Sequence, residues 1–281
     1  MLINNSRKDE TLERLTNGIA QLTSSEKWTT WLRVQARFHR YSFSNALLVA
    51  LQCPAATHVT GFHTWRRLGR TVRRGESALW ILAPVTRRLV SDDDTEQNTR
   101  VVTAFRAVPV FDIPQTTGQD LPEICARLSG DDPVGAYARL VQVASDINFA
   151  VQDHVFEDET NGDCSHQSRR LRVSTRLQPA HRVKTLCHEL AHALLHTDRT
   201  DRALAELEAE SVAFIVSCEL RIQSDAWSFG YFASWSGGGE PAIAAIKAAG
   251  TRIQRTADHI LSALYLEEGD SDEQPVGDAD A

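Results

Sequence analysis

No segment of the 281-residue chain is apolar over the roughly 18 to 20 residues that a membrane-spanning helix needs. The first ten residues, MLINNSRKDE, also lack the apolar stretch of a signal peptide. Cysteine is scarce: the five residues are widely spread and form no Cys-x-x-Cys pair, which argues against zinc ribbons and disulfide frameworks. We therefore expect a cytoplasmic protein with no membrane partner.

Neither the hydrophobic content of 42% nor the charged content of 24% departs from globular averages, so collagen-like and wholly disordered chains are excluded. The length suits two domains of ordinary size. Residues 267–281 differ from the rest because they contain seven acidic residues and no basic residue. We expect this acidic tail to be disordered, since it offers too little apolar surface to offset the entropy of ordering it.

Acidic residues are almost missing from residues 28–88, where ten arginines accompany a single acid, Glu76. Aromatic residues are interleaved with these arginines. Guanidinium groups contact phosphates and aromatic rings stack on unpaired bases, so this arginine-rich segment suits single-stranded nucleic acid. The alternative is an aromatic core beneath a solvated face of arginines. On composition alone this alternative is the stronger, because most Trp and Phe residues are buried.

The order of apolar patterns predicts an α+β fold. Helical spacing over 12–31, with a break near Ser24, is followed by a helix over 44–52. Two stretches rich in Val, Ile and aromatic residues, 77–85 and 101–111, then predict strands joined by an exposed loop. The N-terminal domain should therefore consist of helices followed by a small antiparallel sheet.

Three elements are predicted in the second half, ahead of the clearest motif in the chain. Apolar spacing predicts a helix over 135–145. The segments 151–156 and 169–174 flank a turn-rich stretch, and we expect them to pair as antiparallel strands.

Residues 178–196, QPAHRVKTLCHELAHALLH, predict a helix that opens near Pro179. Within it, His188, Glu189 and His192 form the pattern His-Glu-x-x-His. On a helix the two histidines lie one turn apart on the same face, so both imidazoles can bind one Zn²⁺ ion while Glu189 lies alongside to activate a water. This pattern is half of the metal site of a hydrolase.

A downstream helix predicted over 203–220 is the best source of a third ligand. Glu206 and Glu210 are four residues apart and share one face of it, whereas Glu208 points elsewhere. We assign Glu206 to the metal and Glu210 to holding a ligand histidine through its free N–H, and the reverse assignment stays open. Three protein ligands favour a catalytic site over a structural zinc site, which usually has four.

Two further residues are candidates near this site. Tyr231, in SFGYFASW, could donate a hydrogen bond to the oxyanion formed in peptide hydrolysis, although aromatic-rich stretches of this kind are usually core. His196 lies one turn beyond His192, and we expect it to pack near the helix end rather than bind metal.

Both halves of the chain resemble known families. The N-terminal runs YSFSNALLVALQC, HVTGFHTWRRLGRTVRRGESALWILAPV and VPVFDIPQTTGQDLP resemble the N-terminal domain of ArdC-type antirestriction proteins. The C-terminal runs TLCHELAHALLH and ELEAESVAF resemble zincin-like metallopeptidases, both the domain fused in ArdC proteins and the ImmA/IrrE group. The resemblance implies a DNA-binding domain over 1–115, a linker over 116–133 and, ahead of the acidic tail, a metallopeptidase domain over 134–266 that contains the His-Glu-x-x-His helix and the Glu helix.

The resemblance implies an antirestriction protein of a mobile genetic element that binds single-stranded DNA and carries a peptidase with one Zn²⁺ ion and an unknown protein substrate. The alternative is a regulatory protease of the ImmA/IrrE kind that cleaves a repressor or a restriction-system protein, with DNA binding serving recruitment. The resemblance also favours the DNA-binding interpretation of the arginine-rich segment. Its candidate contacts are Arg37, Arg40, Tyr41, Asn45, Trp65, Arg66, Arg67, Arg70, Arg73, Arg74 and Trp80.

Overall fold

A computed structural model describes residues 2–89, 99–120, 133–196, 201–222, 227, 229 and 239–265. Within these residues the chain divides into two compact units. The first unit contains residues 2–18 and 47–120, and the second contains 19–46 together with the described residues from 133 to 265. Both units combine helices with small sheets, so the predicted α+β fold is confirmed.

The described chain begins and ends with runs of three helices, and none of the described helices has both the length and the apolar character needed to cross a membrane. The helices are α1 (Leu2–Gln21), α2 (Ser25–Arg37), α3 (Phe43–Gln52), α4 (Phe62–Arg67), α5 (Pro133–Asp146), α6 (Pro179–Leu195), α7 (Arg202–Glu219) and α8 (Gly239–Tyr265). The strands are β1 (Val59–Gly61), β2 (Arg70–Val72), β3 (Leu79–Leu89), β4 (Thr99–Asp112), β5 (Thr116–Gly118), β6 (Ala150–His154), β7 (Gly162–Ser165) and β8 (Arg170–Ser174).

The first unit is built on two antiparallel sheets. Strands β1, β4 and β3 form one sheet with β4 in the middle, and β2 pairs with β5 to form the other. The β2–β5 pair needs a glycine, because a Cβ at Gly118 would lie only 2.3 Å from the carbonyl oxygen of Gly69. Its strand β5 lies in the predicted linker, yet its hydrogen bonds join it to the first unit.

Aromatic burial explains why α2 and the start of α3 pack in the second unit. The Nε1 of Trp28 donates to Oγ of Ser211 over 2.9 Å, and the ring of Trp31 meets Phe43 edge-on at 5.1 Å. Phe43 lies directly on the backbone of α8, because a Cβ at Gly250 would come within 2.3 Å of its ring. Contacts therefore place residues 19–46 in the second unit, whereas the sequence pattern predicts them in the N-terminal domain.

The small sheet of the second unit has the order β6-β8-β7. The predicted antiparallel pairing of residues 151–156 with 169–174 is wrong, because β6 and β8 run parallel. The turn-rich stretch between them supplies β7, which pairs with β8 in antiparallel fashion at the edge of the sheet. This edge strand lies against α6, where a Cβ at Gly162 would lie 2.6 Å from Cγ2 of Thr185.

Helices α6 and α7 form the helical hairpin that carries the motif. Helix α6 starts with a proline, whose fixed φ suits the first turn, and buries Leu186, Cys187 and Leu190. Helix α7 is N-capped by Asp201, whose carboxylate accepts a hydrogen bond from the backbone N–H of Leu204 over 2.9 Å. Packing of these two helices sets one face of α7 against the motif face of α6.

Candidate metal centre

The α6–α7 hairpin brings three ligand atoms together. The Nε2 atoms of His188 and His192 are 3.0 Å apart. Oε2 of Glu206, on α7, lies 3.3 Å from the first of these atoms and 3.8 Å from the second. Among the residues that the structure describes, these three form the one group of His, Cys, Asp or Glu side chains placed to share a metal ion.

The spacing of these atoms fits a divalent ion. Zinc bonds of about 2.1 Å to imidazole and carboxylate place neighbouring tetrahedral ligands about 3.4 Å apart. The observed separations of 3.0, 3.3 and 3.8 Å bracket that value. Two imidazoles and one carboxylate are also a ligand set of catalytic zinc sites, in which a fourth position takes water or substrate.

Electrostatics at the centre favour a cation. Burial lowers the pKa of His188, but hydrogen bonds to Glu206 and Glu210 outweigh it and raise the pKa to about 9. Hydrogen bonds with His188 and His192 lower the pKa of Glu206. Burial lowers the pKa of His192, and the neighbouring His188 adds to that effect. The carboxylates of Glu206 and Glu210 therefore favour a positive charge at the point where the ligand atoms converge.

Glu210 lies on the far side of the His188 ring. Its Oε2 is 3.2 Å from Nδ1 of His188, and its Oε1 is 3.0 Å from Nζ of Lys184. Burial raises the pKa of Glu210, but the hydrogen bond with His188 and the charge of Lys184 outweigh it, so the pKa is lowered. A carboxylate accepting from Nδ1–H leaves the lone pair of Nε2 directed towards the other ligand atoms.

A second polar chain lies behind His192. Nδ1 of His192 is 2.9 Å from Nδ1 of His196, and Nε2 of His196 is 3.1 Å from Oε2 of Glu208. Nε of Arg252, on α8, donates to Oε1 of Glu208 over 3.0 Å. The sequence pattern predicts that Glu208 points elsewhere. The i,i+4 spacing of His192 and His196 is the signal in the sequence that points to this contact.

Glu189 is buried, and its carboxyl group interacts electrostatically with His188 and Glu206. Its residue is 6% exposed, and burial raises the pKa of its carboxyl group to about 7 although the charge of His188 opposes this. A Cβ at Gly162 of β7 would lie 2.8 Å from Oε1 of Glu189, so the glycine leaves room for this carboxylate. The sequence pattern does not single out Gly162, because its role depends on a contact between a strand and a helix.

The candidate DNA contacts are divided between the two units. Arg37, Arg40, Tyr41 and Asn45 belong to the second unit. Both arginines are exposed. Tyr41 is half-buried, and burial raises its pKa to about 12. All the other candidates belong to the first unit.

Burial corrects two of the candidates in the first unit. Trp65 is 1% exposed, and its Nε1 donates to the carbonyl oxygen of Phe111 over 2.9 Å, so its ring has no face open to a base. Arg70 is 9% exposed, and its Nε donates to Oγ1 of Thr116 over 2.8 Å. Both side chains hold the first unit together, which contradicts the expectation that they contact DNA.

The remaining candidates of the first unit reach solvent to different degrees. Trp80 is half-buried, and the guanidinium of Arg7 lies 5.0 Å from the centroid of its ring. Nη2 of Arg73 is 2.6 Å from Oε1 of Glu76, the single acid of the arginine-rich segment, and this hydrogen bond lowers the pKa of Glu76. The exposed arginines of the set in this unit are Arg66, Arg67, Arg73 and Arg74.

Family models match both parts of the chain. Residues 5–111 match the N-terminal domain of the anti-restriction factor ArdC. Residues 146–224 match the IrrE N-terminal-like domain, which belongs to the M78 peptidases.

Solved structures show a similar fold. The Mn(II)-bound crystal structure of the antirestriction protein ArdC from plasmid R388 is similar over 90% of this chain and 99% of that chain, with a TM-score of 0.55 and 16% identity. The metal-free structure of the same ArdC protein is similar over 80% of this chain and 85% of that chain, with a TM-score of 0.51 and 20% identity. The chain therefore carries a segment that matches the ArdC N-terminal domain, and it has the fold of ArdC.

A curated relative of this chain is an uncharacterized protein of Bacillus anthracis, with 23% identity over 307 residues. The alignment covers 92% of the chain and 51% of that relative, so the chain spans about half the length of the curated relative it matches.

The two family matches divide the candidate residues between them. The ArdC match at 5–111 contains every candidate DNA contact, and the IrrE-like match at 146–224 contains the metal centre with His196. Arg252 lies beyond the second match. Its contact with Glu208 therefore comes from the packing of α8 and not from the His-Glu-x-x-His motif. Tyr231 lies outside the described residues, and its role stays a prediction.

Proposed function

We propose that this chain is an ArdC-type antirestriction protein that binds single-stranded DNA and hydrolyses a peptide bond in a protein substrate with one Zn²⁺ ion. The observation that carries the hydrolase half is the convergence of His188, His192 and Glu206 beside the buried carboxylate of Glu189. The match to an IrrE-like domain supports this half, and the match to the ArdC N-terminal domain supports the DNA-binding half.

In this proposal the metal ligands are Nε2 of His188, Nε2 of His192 and the carboxylate of Glu206. Glu206 is chosen over Glu210 because its Oε2 lies near both Nε2 atoms, whereas Glu210 faces Nδ1 of His188 and orients that ring. A divalent ion bound there supplies the charge that polarises a peptide carbonyl and lowers the pKa of a water molecule. The donor set favours zinc.

Glu189 is the proposed general base. Its carboxylate takes a proton from the attacking water and delivers it to the nitrogen of the leaving amine. The burial of Glu189 keeps bulk water from competing for that proton, and the gap at Gly162 gives the side chain room to reach the reacting atoms. Tyr231 is the proposed donor to the oxyanion of the tetrahedral intermediate, a role that rests on the sequence.

The DNA-binding half rests on exposed side chains of α4 and the loop after β2. Phe62 is 40% exposed, and its ring meets the exposed His63 edge-on at 5.7 Å. Arg66 and Arg67 are exposed one turn further along the same helix. Arginines contact the phosphates of single strands and duplexes alike, whereas exposed aromatic rings stack on bases that only single strands leave unpaired. We therefore assign the stacking role to Phe62 and His63 in place of Trp65.

The IrrE-like match favours one alternative, a regulatory protease that uses DNA binding for recruitment. Both proposals include a peptidase, but they differ in what protects DNA from restriction. If coating of the strand protects it, peptidase activity is dispensable for protection. If cleavage of a repressor or a restriction-system protein is the cause, protection requires Glu189.

The substitution Glu189→Gln separates these functions. It should leave zinc content and single-strand affinity unchanged, and should lower cleavage of a fluorescent peptide library by about 10²- to 10⁴-fold, since proton transfer is lost. Zinc is measured by mass spectrometry, and DNA affinity by fluorescence anisotropy with single strands and duplexes of the same sequence. The matched control is Glu159→Gln, which makes the same change at an exposed position.

Restriction of entering DNA in cells that express each variant then decides between the two functions. Protection that survives Glu189→Gln supports strand coating, and protection lost only in that variant supports the regulatory protease. Wild-type protein that binds no divalent metal, or that binds duplex as tightly as single strands, would contradict the corresponding half of the proposal.

A further inference from the structure

The chain behind His192 differs from the contact behind His188. His188 meets a carboxylate directly, through Glu210. His192 meets a second imidazole, that of His196, and a carboxylate follows only after it. Glu208 at the end of this chain is 1% exposed and Arg252, its cationic partner, is 43% exposed at the side chain. The outer end of the chain therefore reaches solvent while its inner end reaches the metal ligands.

With a metal ion bound at Nε2 of His192, the donors and acceptors of this chain have one consistent order. The carboxylate of Glu208 accepts hydrogen bonds from Arg252, and it can only accept from His196 as well, so Nε2 of His196 carries a proton. Neutral His196 then has an acceptor at Nδ1. That atom accepts the Nδ1–H of His192, which lies 2.9 Å away, so the lone pair of His192 is left on Nε2. This is the atom that faces His188 and Glu206.

We propose that His196 is a positioning residue for His192, holding its ring and its tautomer so that Nε2 is available to a metal ion. Glu208 and Arg252 support His196 in turn. Carboxylates or carbonyls usually orient metal-ligating histidines through the second ring nitrogen, and loss of that partner typically weakens metal affinity. Here an imidazole does so, and α8 takes part in the metal site although it supplies no ligand. This proposal rests on the metal site proposed above.

Burial explains why the chain extends to Arg252. Glu208 is nearly inaccessible to water, and an unpaired carboxylate at that depth would be strongly destabilising. His196 is neutral in this arrangement and does not offset the charge, so the guanidinium of Arg252 does. The alternative is that His196 only pairs with the buried carboxylate of Glu208 and has no effect on His192. In that case, replacing His196 would leave the metal site unchanged.

The experiment compares His196→Leu with His196→Gln. Leu removes both hydrogen bonds, whereas the Gln amide offers an oxygen to His192 and an N–H to Glu208. The Leu variant should bind Zn²⁺ about 10- to 100-fold more weakly in competition with a chelator, and the Gln variant should recover most of this loss. The visible spectrum of the Co²⁺-loaded protein, which reports ligand geometry, should change in the Leu variant and return towards the wild-type spectrum in the Gln variant. His259→Leu, at an exposed position of α8, is the matched control.

Two results would overturn the proposal: a folded Leu variant with wild-type affinity and spectrum, or Leu and Gln variants that are equally impaired. Long-range proton–nitrogen correlation spectra of the wild-type protein test the tautomers directly and do not depend on how a variant folds. They should show His196 protonated at Nε2 and not at Nδ1, and the opposite tautomer would overturn the proposal. Wild-type protein that takes up neither Zn²⁺ nor Co²⁺ would overturn the proposed metal site itself, whereas a metal-binding protein with an unchanged Leu variant would overturn only the role of His196.

Discussion

The metal centre and the arginine-rich segment are both polar, but they differ in what surrounds their charges. At the centre, carboxylates that are largely withdrawn from solvent contact specific partners: Glu210, 18% exposed at the side chain, lies between His188 and Lys184, and Glu208, 1% exposed, lies between His196 and Arg252. In the arginine-rich segment, most of the arginines are exposed to solvent. The comparison teaches that a buried polar cluster must be arranged in advance, whereas an exposed surface can be arranged by its ligand.

The largest expected effect in this comparison comes from removing a ligand. His192→Ala should weaken Zn²⁺ binding by about a thousandfold or more, because one of three protein ligands is lost. Chelator competition measures the affinity, and single-strand binding should stay at the wild-type level. His181→Ala is the control, because that histidine is exposed on the same helix. Unchanged metal affinity in His192→Ala would break the assignment of the centre.

At the exposed surface, the affinity for single strands should depend on how many arginines contact phosphates. Replacing Arg66, Arg67 and Arg74 with Gln should weaken single-strand binding by about 10- to 100-fold near 0.1 M salt and reduce the salt slope by about 2, because each phosphate contact releases counterions. Anisotropy titrations at several salt concentrations measure both quantities. The metal affinity should stay unchanged.

The matched control for this triple variant makes the same charge change in the second unit. Arg202, Arg221 and Arg255 are exposed there, and their replacement with Gln should leave the salt slope near the wild-type value. An equal loss of slope in both triple variants would mean that net charge, and not the surface around α4, governs DNA binding.

A smaller effect is expected from a single aromatic ring. Phe62→Ala should weaken single-strand binding by about tenfold, since stacking on one base contributes about 1 to 3 kcal/mol. Phe105→Ala is the control in the same unit, because that ring is 49% exposed and lies on the β3–β4 ribbon. A loss of affinity in Phe105→Ala that matches the loss in Phe62→Ala would remove the proposed platform on α4.

The smallest effect concerns a charge pair beside the centre. The hydrogen bond from Arg172 lowers the pKa of Asp163, although burial opposes it. The stabilisation is therefore present above the unfolded-state pKa of about 3.9 and is lost as pH falls through the lower folded-state pKa. Asp163→Asn should reduce the free energy of unfolding by less than about 1 kcal/mol at pH 7, because the pair is partly exposed.

Urea unfolding at steps from pH 7 to pH 3 measures this difference between wild type and Asp163→Asn. The difference should shrink towards zero at the acid end. A difference that stays constant across this range would show that Asp163 acts through packing and not through its charge.

The sequence predicts the metal centre better than the DNA-binding surface, for a physical reason. Spacings of four residues on a helix put His188 with His192, and Glu206 with Glu210, on common faces whatever the rest of the chain does. The amino-acid composition of the arginine-rich segment does not specify which side chains are exposed. It therefore cannot distinguish Trp65, which is buried, from Phe62, which is exposed. The predicted break near Ser24 is confirmed by the start of α2, because N-capping by Ser24 is a local interaction.

Local pattern by itself predicted helices at α1 to α3 and at α5 to α7, strands at β3, β4, β6 and β8, the α+β fold and the order of the candidate metal ligands along α6 and α7. It did not predict the long helix α8 or the four shortest strands. Tertiary structure alone decided three further features. These are the parallel pairing of β6 with β8, the packing of residues 19–46 with the second unit, and the chain from His192 through His196 and Glu208 to Arg252. Each depends on contacts between residues far apart in sequence, and the burial that selects such contacts exists only in the folded chain.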